Sequence, residues 1–164
     1  MLIRIFCLTG LMLGFSAGAT AGDVLTQKNI SLDLAADIAR ETVQVCRKQG
    51  YQVSAVVVDR NGLMRVALRD DLAPRFTLQI AEDKANLVIM GGVNSGEVVK
   101  NRADIRTELN HIDGLIMMRG GVQITSGGSY IGAIGVSGAP GGEKDEACAM
   151  KSLDKYAERL EFAE

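Results

Sequence analysis

One histidine stands in this 164-residue chain, His111, within Leu109-Asn110-His111-Ile112-Asp113-Gly114. A neutral imidazole is the commonest protein ligand for a metal ion, so His111 is the first candidate for coordination chemistry. The plainer reading is a surface histidine at a loop-to-strand junction, hydrogen-bonded to Asp113 or Asn110. With one His and three dispersed Cys, a structural zinc site has almost no ligands to draw on. A little further on, Met117-Met118-Arg119-Gly120-Gly121 puts two thioethers beside a guanidinium and a pair of glycines. The methionines read as a core residue beside an exposed one. Arg119 is either solvated or, because it precedes Gly120-Gly121, set where a ligand could approach the backbone. Signals for hydrolysis are poor. Ser137 in Gly135-Val136-Ser137-Gly138 has the wrong spacing for a nucleophile elbow. Asp83, Asp145 and Glu146 could supply carboxylates, but helix-surface roles explain each, and Glu82-Asp83-Lys84 reads as a structural charge cluster.

These groups need a scaffold, and the glycine pattern supplies its clearest sign. In Gly127-Gly128-Ser129-Tyr130-Ile131-Gly132-Ala133-Ile134-Gly135-Val136-Ser137-Gly138, glycine recurs between small and β-branched residues. That suits a buried strand whose backbone something else approaches closely. It ends in a turn and an acid-rich helix start, Glu143-Lys144-Asp145-Glu146. No phosphate-binding loop is present, since no G-x-G-x-x-G opens a helix and no Gly-Lys-Ser/Thr follows.

Around that strand the chain reads as helix, two strands, helices, three strands, helix. Ser31 caps a first helix carrying Leu34, Ala35, Ile38, Thr42, Val45 and Cys46 at helical spacing, and Gly50 ends it. Tyr51 to Val58 is a strand, first alternating and then wholly apolar, as for a central position. Asp59-Arg60-Asn61-Gly62 is a hairpin turn, and Leu63 to Arg69 returns. Thr77 caps a second helix that Gly91-Gly92 stops. The polar stretch from Asn94 to Asn110 holds one or two short helices. Ile112 to Met118, Val122 to Thr125 and Tyr130 to Ser137 read as three more strands, and an amphipathic helix from about Glu143 to Leu160 closes the chain. Hairpin connections dominate, which predicts an α+β fold with an antiparallel sheet flanked by helices.

The first residues predict export. Arg4 is the only charge before Asp23, and the apolar run Ile5 to Phe15 ends in Ser16-Ala17-Gly18-Ala19-Thr20-Ala21. This is the charged, apolar and small-residue order of a cleaved secretory signal, residues 1–21, leaving one domain over 22–164. Ala17-Gly18-Ala19 is the alternative cleavage box. The apolar run is shorter than the roughly 20 residues that span a bilayer. Cys7 lies inside that run rather than after the cleavage site, which argues against a lipid anchor. The expected location is periplasmic or secreted, with no membrane span after cleavage. A net charge of −2 with both signs interspersed makes nucleic acid an unsuitable partner.

Four segments in order resemble the GlcG/HbpS family, whose haem-binding HbpS-like domain also forms the C-terminus of PduO-type proteins. Val53 to Asp59 followed by Gly62 is similar to the family's V-x-V-V-D-x-x-G hairpin, and Ala81-Glu82-Asp83-Lys84-Ala85 to its A-x-D-K-A helix. Gly120-Gly121-Val122-Gln123-Ile124 aligns with its G-G-x-P-I/L, with Gln123 where proline is usual. Asp145-Glu146-Ala147 matches the acidic start of its last helix. The resemblance implies a five-stranded antiparallel sheet in a profilin-like layout, homo-oligomers, and non-covalent binding of haem or a related tetrapyrrole for sequestration, sensing or slow degradation.

Haem needs an apolar groove, an axial donor and a cation for its propionates. His111 is then the candidate ligand of the iron, and Arg119, Gly120 and Gly121 the other candidate haem-binding residues; Met117, Met118 or Thr125 could replace His111. No C-x-x-C-H is present, so covalent c-type attachment is excluded, and nothing corresponds to an adenosyltransferase domain. Two alternatives stand beside this reading: an accessory partner of a periplasmic dehydrogenase or sensor, and a small-molecule enzyme using Asp/Glu residues. Cys46 and Cys148 survive export, and an oxidising compartment would permit their disulfide. Cys148 points away from the centre of the last helix's apolar stripe, which counts against the bond. A profilin-like layout with both helices on one sheet face counts for it.

Overall fold

The computed structural model describes residues 23–162; the expected signal segment, 1–21, lies outside the described residues. The elements are α1 (Leu32–Lys48), β1 (Ser54–Asp59), β2 (Met64–Arg69), α2 (Thr77–Gly91), α3 (Ser95–Asn101), α4 (Arg106–Leu109), β3 (Gly121–Ser126), β4 (Ser129–Ser137), α5 (Gly142–Lys155) and α6 (Ala157–Glu161). The strands form one sheet of order β2-β1-β4-β3, antiparallel throughout.

Each face of β1 is covered, which is why its valines run without alternation. On one face Ala55, Val57, Ile134 and Val136 pack under α1 and α5 through Ala35, Ile38 and Ala149. On the other, Val56, Val58 and Ala133 pack under Ala81, Ala85 and Val88 of α2. α2 lies unusually close to the sheet. A Cβ at Gly135 would sit 1.8 Å from the Ala81 carbonyl oxygen, and one at Gly121 would sit 2.3 Å from that of Lys84. Gly121 and Gly135 are cross-strand partners. The close approach expected over the glycine-rich strand is therefore made by the chain's own second helix.

The sheet has four strands, not the five expected. Ile112 to Met118 is irregular, for two local reasons. Gly114 adopts φ 83°, a left-handed conformation that interrupts any extended run. Side-chain amides also replace a strand ladder: Asn110 Oδ1 accepts from the Met117 amide at 2.8 Å, and Asn86 Nδ2 donates to the Gly114 carbonyl at 3.2 Å. Two helix limits also differ. Thr77 is not a cap but lies in the first turn, where its hydroxyl donates to the Pro74 carbonyl at 2.7 Å and meets Ser54 Oγ at 2.7 Å. The last helix breaks at Tyr156, whose amide donates to Leu153 one residue short of helical register.

α1 is tied to the rest of the fold at its far end by Arg47 and the buried Asp70. Arg47 Nε donates to Asp70 Oδ2 at 3.0 Å, its Nη2 reaches Oδ1, and the Asp71 amide donates to Oδ1 at 2.8 Å. The hydrogen bond from Arg47, joined by that of the Asp71 amide and opposed by burial, holds the Asp70 carboxyl below its ordinary 3.8. A carboxyl depressed by folding stabilises at neutral pH, and this contribution disappears as acid protonates it. Stability measured by urea unfolding should therefore fall as pH drops through and below 3.8, and fall less steeply in Asp70→Asn. Parallel acid losses in the two proteins would contradict this.

Candidate functional site

The sequence motifs that lie far apart in the chain meet at the end of β4. Lys84 of α2 and Asp145 of α5 form an ion pair at 2.8 Å, with side chains 1% and 3% exposed. Lys84 Nζ also donates to the Val136 carbonyl at 2.9 Å, and Asp145 Oδ1 accepts from the Ala139 amide at 3.0 Å. Burial pushes the Asp145 carboxyl above its ordinary range, partly offset by the Lys84 ammonium. Asp145, expected on a helix surface, and Lys84, expected in a charge cluster with Glu82 and Asp83, are instead both core residues joining α2 to α5. Their charges satisfy one another, so Asp145 is not an open catalytic carboxylate.

Arg119 and Glu146 lie beside this pair. Arg119 Nε donates to Glu146 Oε2 at 3.1 Å, half of the Arg119 side chain remaining exposed. Glu146 is itself buried, not a surface carboxylate. Gly96 leaves them room, since a Cβ there would sit 2.8 Å from Arg119 Nε. Gly120, at φ 120°, lies against the Val136 carbonyl, Asp145 and Lys84 Nζ, and the Gly121 amide donates to Ser95 Oγ at 2.8 Å. The space next to both glycines is filled by the chain's own atoms.

His111 lies elsewhere, exposed on the turn after α4, with its amide donating to the Glu108 carbonyl. Among the described residues no hydrogen bond reaches its imidazole, and none joins it to Arg119. Asn110, its expected alternative partner, is engaged with Met117. Met117 is buried with Leu87, Val98 and Leu109, whereas Met118 is exposed. Thr125 is exposed on β3. Among the described residues, no group of three His, Cys, Asp or Glu side chains is arranged to hold a metal ion, and no helix is long and apolar enough to cross a membrane.

Two residues before His111, Leu109 lines an apolar groove of about 350 Å³. The C-terminal turn of α2 and the α3–α4 run build it, with Val93, Val98 and Ile105 as further walls. Met90, half-exposed, presents a thioether, and Arg102 a guanidinium whose only ion pair among the described residues is an exposed one with Asp104 at 3.3 Å. Its volume is at the lower end of small-molecule sites. Met90 and Arg102 were not singled out in the sequence; the one available signal was a methionine directly before the Gly91-Gly92 stop. Apolar walls with a thioether and a guanidinium suit one edge of an apolar ligand that carries carboxylates, and His111 follows the lining residue Leu109 by two positions.

Cys46 of α1 and Cys148 of α5 are joined by a disulfide with Cα atoms 5.5 Å apart. Both are fully buried, and the Thr42 and Ser152 hydroxyls meet at 2.6 Å between the same two helices.

Comparison with known proteins agrees with the motifs. Residues 30–154 match the model of the family described as haem degrading protein HbpS-like. The crystal structure of HbpS superposes with a TM-score of 0.76 at 33% identity, covering 85% of this chain and 98% of that one. A double mutant of Streptomyces reticuli HbpS gives a TM-score of 0.76 at 31% identity, covering 87% and 97%. The fold is also that of a PduOC:heme complex, with a TM-score of 0.67 at 22% identity and coverage of 77% and 94%. No curated protein sequence matches. Over nearly all of its described length, then, the chain belongs to the HbpS-like family of haem degrading proteins.

Proposed function

We propose that the protein binds haem non-covalently in the groove between α2 and the α3–α4 run. The observation that carries this reading is the groove itself, an apolar recess with Arg102 at its wall and His111 two residues beyond it, in a chain of this family. A fold relative described as a heme complex supports the same ligand class. Val93, Val98, Ile105 and Leu109 would bury one edge of the macrocycle, His111 would supply the axial imidazole, and Arg102 would pair with a propionate. Arg119 could contribute only by leaving Glu146. Bound haem supplies a redox-active iron; the chain binds it, orients it and limits water at it, in sequestration, sensing or slow breakdown.

His111→Ala should shift the Soret band and weaken binding while leaving thermal stability unchanged, because an exposed turn residue contributes little to the core. Arg102→Gln should weaken affinity less and leave the band position alone. An unchanged spectrum and affinity in His111→Ala would move the axial ligand, with Met90 next in line.

Export and self-association belong to the same proposal. The Cys46–Cys148 bond supports an oxidising compartment. Protein recovered from its native compartment should begin at Gly22 or Thr20 by intact mass and exceed the monomer in light scattering. A mass retaining residues 1 to 15, or a strict monomer at micromolar concentration, would contradict those two parts respectively.

A further inference from the structure

On the opposite face of the sheet from the haem groove, a second cleft opens at the start of α1. The segment before that helix crosses the β3–β4 hairpin and is fastened there, the Ile30 amide donating to the Ile131 carbonyl at 3.2 Å. Behind it lies a recess of about 430 Å³, with Ile30, Leu34 and Ile131 as apolar walls and Lys28, Ser31 and Ser126 as polar ones. Ser31 caps α1, its Oγ accepting from the Leu34 amide at 3.3 Å, so the unpaired first amides of a 17-residue helix face this end. Lys28 Nζ lies over the hairpin, 4.0 Å from where a Gly127 Cβ would stand. Among the described residues Lys28 makes no ion pair.

Ser126 turns this from a helix end into a site. It is 3% exposed, and its Oγ is buried without any hydrogen-bond partner. It shares the inward face of β3 with Ile124, while Thr125 between them is exposed. A buried hydroxyl with no partner costs folding free energy, and native structures rarely keep one without a use. Two other buried polar atoms lack partners, Asn86 Oδ1 and Tyr130 Oη, but both belong to residues only partly buried.

We propose that this cleft binds a small organic monocarboxylate. Lys28 and the first turn of α1 complement one negative charge, and the Ser126 hydroxyl donates to the ligand. Ile30, Leu34 and Ile131 take a short apolar tail. A doubly charged anion is disfavoured, because Lys28 is the only cation among the described residues that line the cleft and Asp33 occupies the first turn of α1.

Calorimetric titration of the full chain with hexanoate, and separately with inorganic phosphate, tests this. Hexanoate should bind saturably at one site per chain, weakened about tenfold or more by Lys28→Gln and by Ser126→Ala. Without ligand, Ser126→Ala should melt at or above the wild-type temperature, since it removes an unpartnered hydroxyl; a purely structural serine would lower it. Lys28→Gln, a surface substitution, decides the case should Ser126→Ala destabilise the fold. No saturation by hexanoate, phosphate binding as tightly, or hexanoate affinity indifferent to Lys28→Gln would overturn the proposal. Haem spectra should be unaltered in both variants, so the outcome does not depend on the haem reading.

Discussion

Lys84→Met should destabilise the protein by about 3–5 kcal/mol at neutral pH, because it leaves the buried Asp145 carboxylate without its counter-charge. The pair sits where α2, β4 and α5 meet, so its loss loosens helices from both faces of the sheet. Burial already pushes Asp145 upward, and without Lys84 it would rise further. A carboxyl raised by folding is stabilising while it is protonated, so the deficit of Lys84→Met should shrink as pH falls and grow as pH rises. The double variant Lys84→Met/Asp145→Leu should recover much of the loss, since two apolar side chains leave no orphaned charge. Urea unfolding at several pH values checks this. A loss under 1 kcal/mol in the single variant, or no recovery in the double one, would contradict it.

Removing the disulfide should have a comparable effect. Cys46→Ala/Cys148→Ala should lower stability by about 2–5 kcal/mol, because the bond closes a loop across a sequence separation of 102. Both sulfurs are buried, so each substitution also trades close packing for a small void, which adds to the loss. Exported protein beginning at Gly22 or Thr20 and purified without reductant should show no titratable thiol. Two thiols, or an unchanged unfolding midpoint on reduction, would contradict the bond.

Local patterning made most of the scaffold readable. The valine run of β1, the Asp59–Gly62 turn, the Ser31 cap and the glycine spacing of β4 each express a constraint acting within a few residues. Ile112 to Met118 misled because its apolar composition suits a strand, whereas Asn86 and Asn110, the former far off in sequence, satisfy its backbone instead. Lys84 and Asp145 misled for a similar reason. Sixty-one positions separate them, and nothing in either helix alone says that both turn inward to the same point. Cys148 lay off the apolar stripe of its helix, yet α1 approaches from that side. The groove escaped notice because three short segments build it, and Met90 and Arg102 become neighbours only when α3 folds back on the end of α2. His111 was visible as the only imidazole, but its relation to an apolar recess was not.

Visible absorption during a titration of the full wild-type chain with haem shows whether the protein holds this ligand. A shifted Soret band should saturate at a fixed ratio of haem to chain and be released on denaturation, as for a non-covalent complex. A spectrum that remains that of free haem at every ratio would contradict haem binding.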